Sequence, residues 1–162
     1  KRKGEPIGTA DALNDVLLHT GKSARMIAFD LFIEGQFVYH QRSDGLIVST
    51  PTGSTAYSLS GGGPIMHPKL DALVLVPMFP HTLSSRPIVV DGNSEIKIVI
   101  SDDIPIYPQV SCDVQVHLTA APGDTVTIRK KAQKVRLIHP RNHNFYEICR
   151  TKLGWAAQNG DA

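Results

Sequence analysis

Cysteine is scarce: the 162-residue sequence has two, Cys112 and Cys149. They form no CxxC pair and no metal-ligand spacing, which excludes a disulfide framework or a zinc centre as organiser of the fold. Reduced core thiols are expected instead. The seven histidines show neither an HExxH pattern nor paired spacing, so each reads as structural and no metal-ligand set is expected. No apolar run is long enough to cross a bilayer. The opening Lys1-Arg2-Lys3-Gly4-Glu5-Pro6 is basic but lacks a secretory signal's apolar segment, so a cytoplasmic protein is expected. A strong charge of one sign is missing too, the net charge being +2. The densest basic run is Arg129-Lys130-Lys131, with Lys134 and Arg136 beyond, and no aromatic residue interleaves with it. A lysine-guarded strand edge therefore competes with, and is preferred to, a nucleic-acid patch. Neither nucleic acid nor membrane is expected as a partner. Repeats and low-complexity segments are absent.

What is present is enough for one sizeable core. A hydrophobic fraction of 41% and a charged fraction of 20% place the chain among globular proteins. Residues 10–18 fit a helix or a strand by pattern. From residue 23 the chain reads as β structure. Strands are expected at 26–33 and 37–42 around a Glu34-Gly35-Gln36 turn, and at 46–48. Further strands are expected at 70–76, left through Pro77, at 88–90 before the turn Asp91-Gly92-Asn93, and at 95–100. The last are expected at 114–118, at 125–129 after Pro122-Gly123-Asp124, and at 135–138. The proline-rich stretch 78–87 reads as a loop. Helical character returns at 144–153, where Phe145, Ile148, Cys149 and Leu153 share a stripe and Gly154 stops the run. Residues 156–162 read as a frayed end. The fold class is thus mainly β, a β-sandwich-like domain with a few short helices.

The stretch 44–64, DGLIVSTPTGSTAYSLSGGGP, stands out. It reads as a strand, a hydroxyl-rich glycine turn, and a short helix over 54–60 stopped by Gly61-Gly62-Gly63-Pro64. Such an order aims backbone N–H groups at one point, which can serve an anion, and its hydroxyls can cap a helix or meet a ligand. Ordinary capping and a ligand site both fit. It is not a P-loop, since no lysine follows Gly53, and it is not GxGxxG.

This stretch resembles the signature of bacterial NAD kinases. Similar matches to that family are ALNDVLLH at 12–19, LVPMFPHTLSSRPIVV at 75–90 and RTKLGW at 150–155. The four segments come in the right order and cover nearly the whole chain. The resemblance implies phosphoryl transfer from ATP or polyphosphate to the 2′-hydroxyl of the adenosine ribose of NAD, giving NADP, with a divalent cation such as Mg2+. It implies an N-terminal α/β domain, a C-terminal β-sandwich, a site between them, and homodimers or homotetramers. The family's Gly-Gly-Asp-Gly motif, with its proposed catalytic aspartate, is absent from this sequence. The chain thus looks like a C-terminal NAD-binding domain spanning 1–162, without a catalytic residue of its own. Its 140–162 tail, including Trp155, is expected to pack toward the other domain, and little kinase activity is expected of the fragment by itself.

By the same resemblance, Asn14 and Asp15 match the pair that holds the ribose hydroxyls or the adenine edge. Asp15 stands where glutamate is commoner and is one methylene shorter. Thr52 and Thr55 lie in the substrate turn. Thr55, Ala56, Tyr57 and Ser60 match the adenine pocket, with Tyr57 a stacking ring. Arg42 and Asp44 match residues that reach the nicotinamide ribose of the same or a neighbouring subunit's substrate. Phe79, His81 and Asp113 are weaker candidates. Helix-cap, turn or core roles compete for Asn14-Asp15, Asp44, Tyr57 and Asp113. Two rival functions compete with this reading. A non-catalytic nucleotide-binding or oligomerisation module differs in having no upstream Gly-Gly-Asp-Gly. A lipid or sphingoid kinase is disfavoured by the 52–57 turn and by Asn14-Asp15.

Overall fold

A computed structural model describes residues 1–21, 25–103 and 105–155, so the expectation for 156–162 lies outside the described residues. The chain forms two units, Lys1–Lys130 and Lys131–Ala162.

The first unit is all antiparallel. Its strands are β1 (Asp15–His19), β2 (Ile27–Ile33), β3 (Gln36–Ser43), β4 (Gly45–Ser49), β5 (Ala72–Met78), β6 (Ile88–Asp91), β7 (Ile96–Ile100), β8 (Gln109–Cys112), β9 (Val116–Thr119) and β10 (Thr125–Ile128). Six make one sheet in the order β6-β5-β4-β1-β8-β9, and four make another in the order β10-β7-β2-β3. Period-two alternation in β2 and β7 sends Ile27, Phe29, Leu31, Ile96, Ile98 and Ile100 into one core, where Leu18, Leu46, Val48, Leu73, Leu75 and Val110 of the larger sheet meet them. The mainly β, sandwich-like expectation holds.

The larger sheet is covered on its other face as well. Ile47, Val74 and Val76 form a second cluster with Met66. All five residues of β4 are buried, which explains its unbroken apolar run where a half-buried strand would alternate.

Several expectations need correction. Of residues 10–18, open to helix or strand by pattern, only those from Asp15 on form strand, and Asp15–His19 pairs with β4 on one side and β8 on the other. The strand expected to end before Pro77 runs on to Met78. Its neighbour β6 pairs only with Ala72–Leu75, so Pro77 sits on a half-edge where a missing N–H costs least. The strand expected at 114–118 starts two residues later, as β9 at Val116, because residues 113–115 turn; β8, which ends at Cys112, was not among the expected strands. No strand forms at 135–138, where Val135, Leu137 and Ile138 are exposed with no ladder among the described residues. The expected helix at 54–60 is broken into a 3-10 turn, Gly53–Thr55, and a single α-turn, α1 (Tyr57–Ser60), by Ala56 at φ −101°, ψ −129°.

In the second unit, α2 (Phe145–Leu153) forms as read. Asn144 Oδ1 accepts from the N–H groups of Tyr146 (3.0 Å) and Glu147 (3.2 Å), and Gly154 closes the helix at φ 66°. Of the expected stripe, Cys149 is buried and Ile148 is exposed. Both cysteines are free and buried. Among the described residues, no helix is long and apolar enough to cross a membrane.

Candidate functional site

Asp15 of β1 pairs with Ser49 of β4, so the chain before the one and after the other emerges at the same end of the sheet. The two segments are stitched together there. Thr50 N–H donates to Asn14 O at 2.9 Å, and Thr50 Oγ1 donates to Leu13 O at 2.7 Å. Ser49 Oγ lies 3.1 Å from both Asn14 O and Thr50 O, with one hydrogen to share. Thr50 Oγ1 also accepts from Gly53 N–H at 3.1 Å, a side-chain-to-backbone turn bond that folds 50–53 back on itself. The turn lies so close to β1 that a Cβ on Gly53 would stand 2.1 Å from Asn14 O. Only glycine fits there.

From the other side comes Asp113. Its Oδ2 accepts from Leu13 N–H (2.6 Å), and its Oδ1 from Asn14 N–H (2.8 Å) and Asp15 N–H (3.1 Å). The backbone of Leu13 and Asn14 is therefore engaged on both its N–H and C=O sides. Among the described residues, nothing hydrogen-bonds the side-chain amide of Asn14 or the carboxylate of Asp15. Asp15 is only 5% exposed. Burial, and then the neighbouring charge of Asp113, push its carboxyl above the ordinary range. Burial also works to raise Asp113, but its three amide bonds outweigh that and hold it below the ordinary range.

Beyond Gly53, Ser54 is buried and serves the fold. Its Oγ donates to Pro51 O at 2.7 Å and accepts from Met66 N–H at 2.9 Å. Thr52 heads the 3-10 turn without capping it, and Thr55 Oγ1 reaches Thr52 O at 3.4 Å. Thr55, Ala56 and Ser60 are exposed, and Tyr57 is 42% exposed. With only single helical turns, the macrodipole that would attract an anion is small. Burial of Cys112, followed by the charges of Asp113, Asp11 and Asp15, raises its thiol, so three carboxylates gather at this corner. The corner suits hydrogen-bond donors such as sugar hydroxyls or an exocyclic amine better than it suits phosphate.

A second group sits at the opposite end of β4. Asp44 N–H donates to Met78 O at 3.0 Å, and His81 N–H donates to Arg42 O at 3.0 Å. Loop 78–81 thus wraps Arg42 and Asp44, whose exposed side chains carry no ion pair among the described residues. Phe79, at φ 44°, is 78% exposed. At roughly 3.3 Å per strand residue the two groups stand about 20 Å apart. The fold therefore brings Asn14, Asp15, Thr52, Thr55, Ala56, Tyr57 and Asp113 to one corner, and Arg42, Asp44, Phe79 and His81 to another. Reading the sequence missed Ser49 and Thr50, which fasten the turn. Their hydroxyls were visible in the motif, but no local pattern separates a fastening hydroxyl from one that faces a ligand.

The basic run at 129–131 is partly neutralised, since Arg129 pairs with Glu95 and Lys130 with Asp71 at 2.7 Å. Among the described residues no three His, Cys, Asp or Glu side chains are grouped to hold a metal ion.

Residues 13–140 match the family model for the ATP-NAD kinase C-terminal domain. The NAD kinase of Hahella chejuensis (strain KCTC 2396) is 76% identical over 157 residues, covering 97% of this chain and 53% of that protein. The NAD kinase of Pseudomonas fluorescens (strain SBW25) is 72% identical over 160 residues, covering 99% of this chain and 54% of that one. A crystal structure of yeast NADH kinase complexed with NADH aligns with a TM-score of 0.83 at 29% identity, over 90% of this chain and 45% of that one. An NAD kinase from Archaeoglobus fulgidus in complex with ATP aligns with a TM-score of 0.66 at 31% identity, over 74% of this chain and 46% of that one. The chain spans about half the length of the curated relatives it matches. Its two packed antiparallel sheets, and the family match running from Leu13 through the turn and Asp113, make it a member of the ATP-NAD kinase C-terminal domain family.

Proposed function

We propose that the intact protein phosphorylates the 2′-hydroxyl of the adenosine ribose of NAD, and that this chain forms the wall that holds the adenosine. The observation that carries the reading is the corner at 13–15 and 50–57. Its backbone is bonded into place, while the Asn14 amide and Asp15 carboxylate have no partner among the described residues. An amide and a carboxylate match vicinal hydroxyls, which donate and accept at once. Tyr57 supplies a ring face for adenine. Phosphoryl transfer asks mainly for alignment, and a rigid backbone carrying free side chains supplies it.

The phosphoryl donor is ATP or polyphosphate, and the divalent cation, Mg2+ or a similar ion, is held outside this chain's own side chains. The base for the 2′-hydroxyl is likewise supplied from outside this sequence. The nicotinamide half extends toward Arg42, Asp44, Phe79 and His81 of the same or a neighbouring copy in a homodimer or homotetramer. The stretch from residue 140 to 155 packs toward the family's N-terminal α/β domain, and the intact protein acts in the cytoplasm.

The test is calorimetry and steady-state kinetics on the full-length protein. Asn14→Ala removes hydrogen bonds worth about 1.5 kcal/mol, so the Kd and KM for NAD rise about tenfold with the donor KM little changed. A variant that binds NAD like the wild type would sink the adenosine assignment. NAD binding without phosphoryl transfer by the full-length protein would leave the non-catalytic module as the better reading.

A further inference from the structure

We infer that Asp113 is a positioning residue: it does not touch the dinucleotide but sets the Asn14-Asp15 segment that does. The inference rests on the adenosine-binding reading above.

Three observations lead to it. First, the Asp113 carboxylate takes three consecutive amides, those of Leu13, Asn14 and Asp15, at 2.6, 2.8 and 3.1 Å. Three of about four acceptor positions are then filled by backbone, leaving little with which to meet a ligand. Second, the contact is reciprocal, since Asp113 N–H donates to Asp15 O at 3.1 Å. The segment is held at the start of β1, where Asp15 would otherwise be a fraying terminal residue.

Third, the turn that presents Asp113 is built against local preference. Gln115 N–H closes on Cys112 O at 3.0 Å, with Asp113 at φ 48° and Val114 at φ 61°. Hairpin turns of this hand normally use Asn-Gly or Gly-Gly. A β-branched valine in the left-handed region is a genuine outlier. Such outliers persist where the surrounding structure over-determines them and gather at ligand sites. Asparagine would fit the same backbone, but it has one acceptor oxygen where aspartate has two, and its NH2 would face an amide donor. The carboxylate is what the 13–15 backbone requires.

The consequence is indirect control of affinity. Without the clamp three amides lose their partner and the Asn14 and Asp15 side chains sample more orientations. The ordering then falls on the binding step.

The experiment uses the full-length protein with Asp113→Asn, Asn14→Ala and the double variant. Calorimetry gives the Kd for NAD, kinetics gives the KM values for NAD and donor, and melting follows stability. D113N is expected to weaken NAD about tenfold and to leave the donor KM within about twofold. On the N14A background the same change is expected to cost less than about threefold, because Asp113 acts through that segment. An unchanged NAD Kd in D113N, even with a lowered melting temperature, would reduce Asp113 to a turn residue and overturn the inference. Fully multiplicative effects in the double variant would also overturn it, since they would mean that Asp113 acts without Asn14. If D113N does not fold, Val114→Gly carries the test. It relieves the turn while keeping the carboxylate, and must bind NAD as the wild type does; a tenfold loss there would refute the clamp. An N14A protein that binds NAD normally sinks the adenosine reading itself, whereas an affected N14A beside an unaffected D113N sinks only the positioning role.

Discussion

Gly53 is where sequence chemistry and site geometry meet most tightly at the scale of one residue. Its missing Cβ lets the 50–53 turn lie on β1, with Asn14 O, Asn14 C and Ser49 Oγ at 2.1, 2.5 and 2.6 Å from where a methyl would stand. Two of those atoms are backbone and cannot rotate away. Gly53→Ala should therefore destabilise the protein by about 2–3 kcal/mol through overpacking. NAD affinity should fall as well, because the turn and Asn14 must separate. Urea unfolding and calorimetry on the same preparation would check both, and an alanine variant with wild-type stability would contradict the close approach. Aspartates divide by environment in the same way. Asp15 is buried without a donor among the described residues, while Asp113 accepts from three amides, although the two lie side by side.

Among elements, the hairpins differ in how openly they announce themselves. The β2–β3 turn uses Glu34-Gly35 at φ 50° and 74°, and the turn after β6 uses Asp91-Gly92-Asn93, with Asp91 Oδ1 accepting from Asn93 N–H at 2.7 Å. Both were legible because glycine and asparagine are the residues such turns require. The β8–β9 turn is centred on Asp113 and Val114; a turn role was open for Asp113, but Val114 reads as the start of a strand, since the cause of the turn is a contact far along the chain. The opening residues form another small element. Arg2 and Glu5 exchange both backbone hydrogen bonds at 2.9 Å, Lys1 pairs with Thr125 of β10, and the Arg2 guanidinium forks onto Asp124 at 2.9 and 2.8 Å. That pair holds the Asp124 carboxyl below the ordinary range, against its own burial. Arg2→Ala should lower the melting temperature by a few degrees and speed amide exchange at Thr125. Exchange at wild-type rates would mean that residues 1–5 are held by something other than this fork.

For the whole molecule, pH joins these sites. His19 Nε2 lies 3.0 Å from Ser111 Oγ, which lies 2.7 Å from His117 Nδ1, and Gly21 N–H donates to His19 Nδ1 at 3.2 Å. Burial, and then His117, hold His19 below its ordinary 6.5. The unfolded chain then binds a proton more readily than the folded one, so stability falls as pH drops below 6.5. Asp113 and Asp124 are depressed below their ordinary 3.8, so their contribution is present above 3.8 and is lost as pH falls through their lower folded values. Asp15, being raised, works in the opposite direction. A two-step acid loss is expected in denaturation midpoints, and His19→Gln should flatten the first step between roughly pH 7 and pH 5. An unchanged slope would remove His19 as its source. The sequence by itself determined the mainly β class, most strands, the marked turns, the capped terminal helix and the 44–64 motif. These rest on alternation and turn chemistry, which act between near neighbours. Only the tertiary structure decided that Asp113 clamps amides 98 to 100 residues away, that Thr50 fastens the turn to Leu13, and that Arg42 and Asp44 stand at the far end of β4. Such contacts depend on strand order and register, which the packing of two sheets settles and no local pattern encodes.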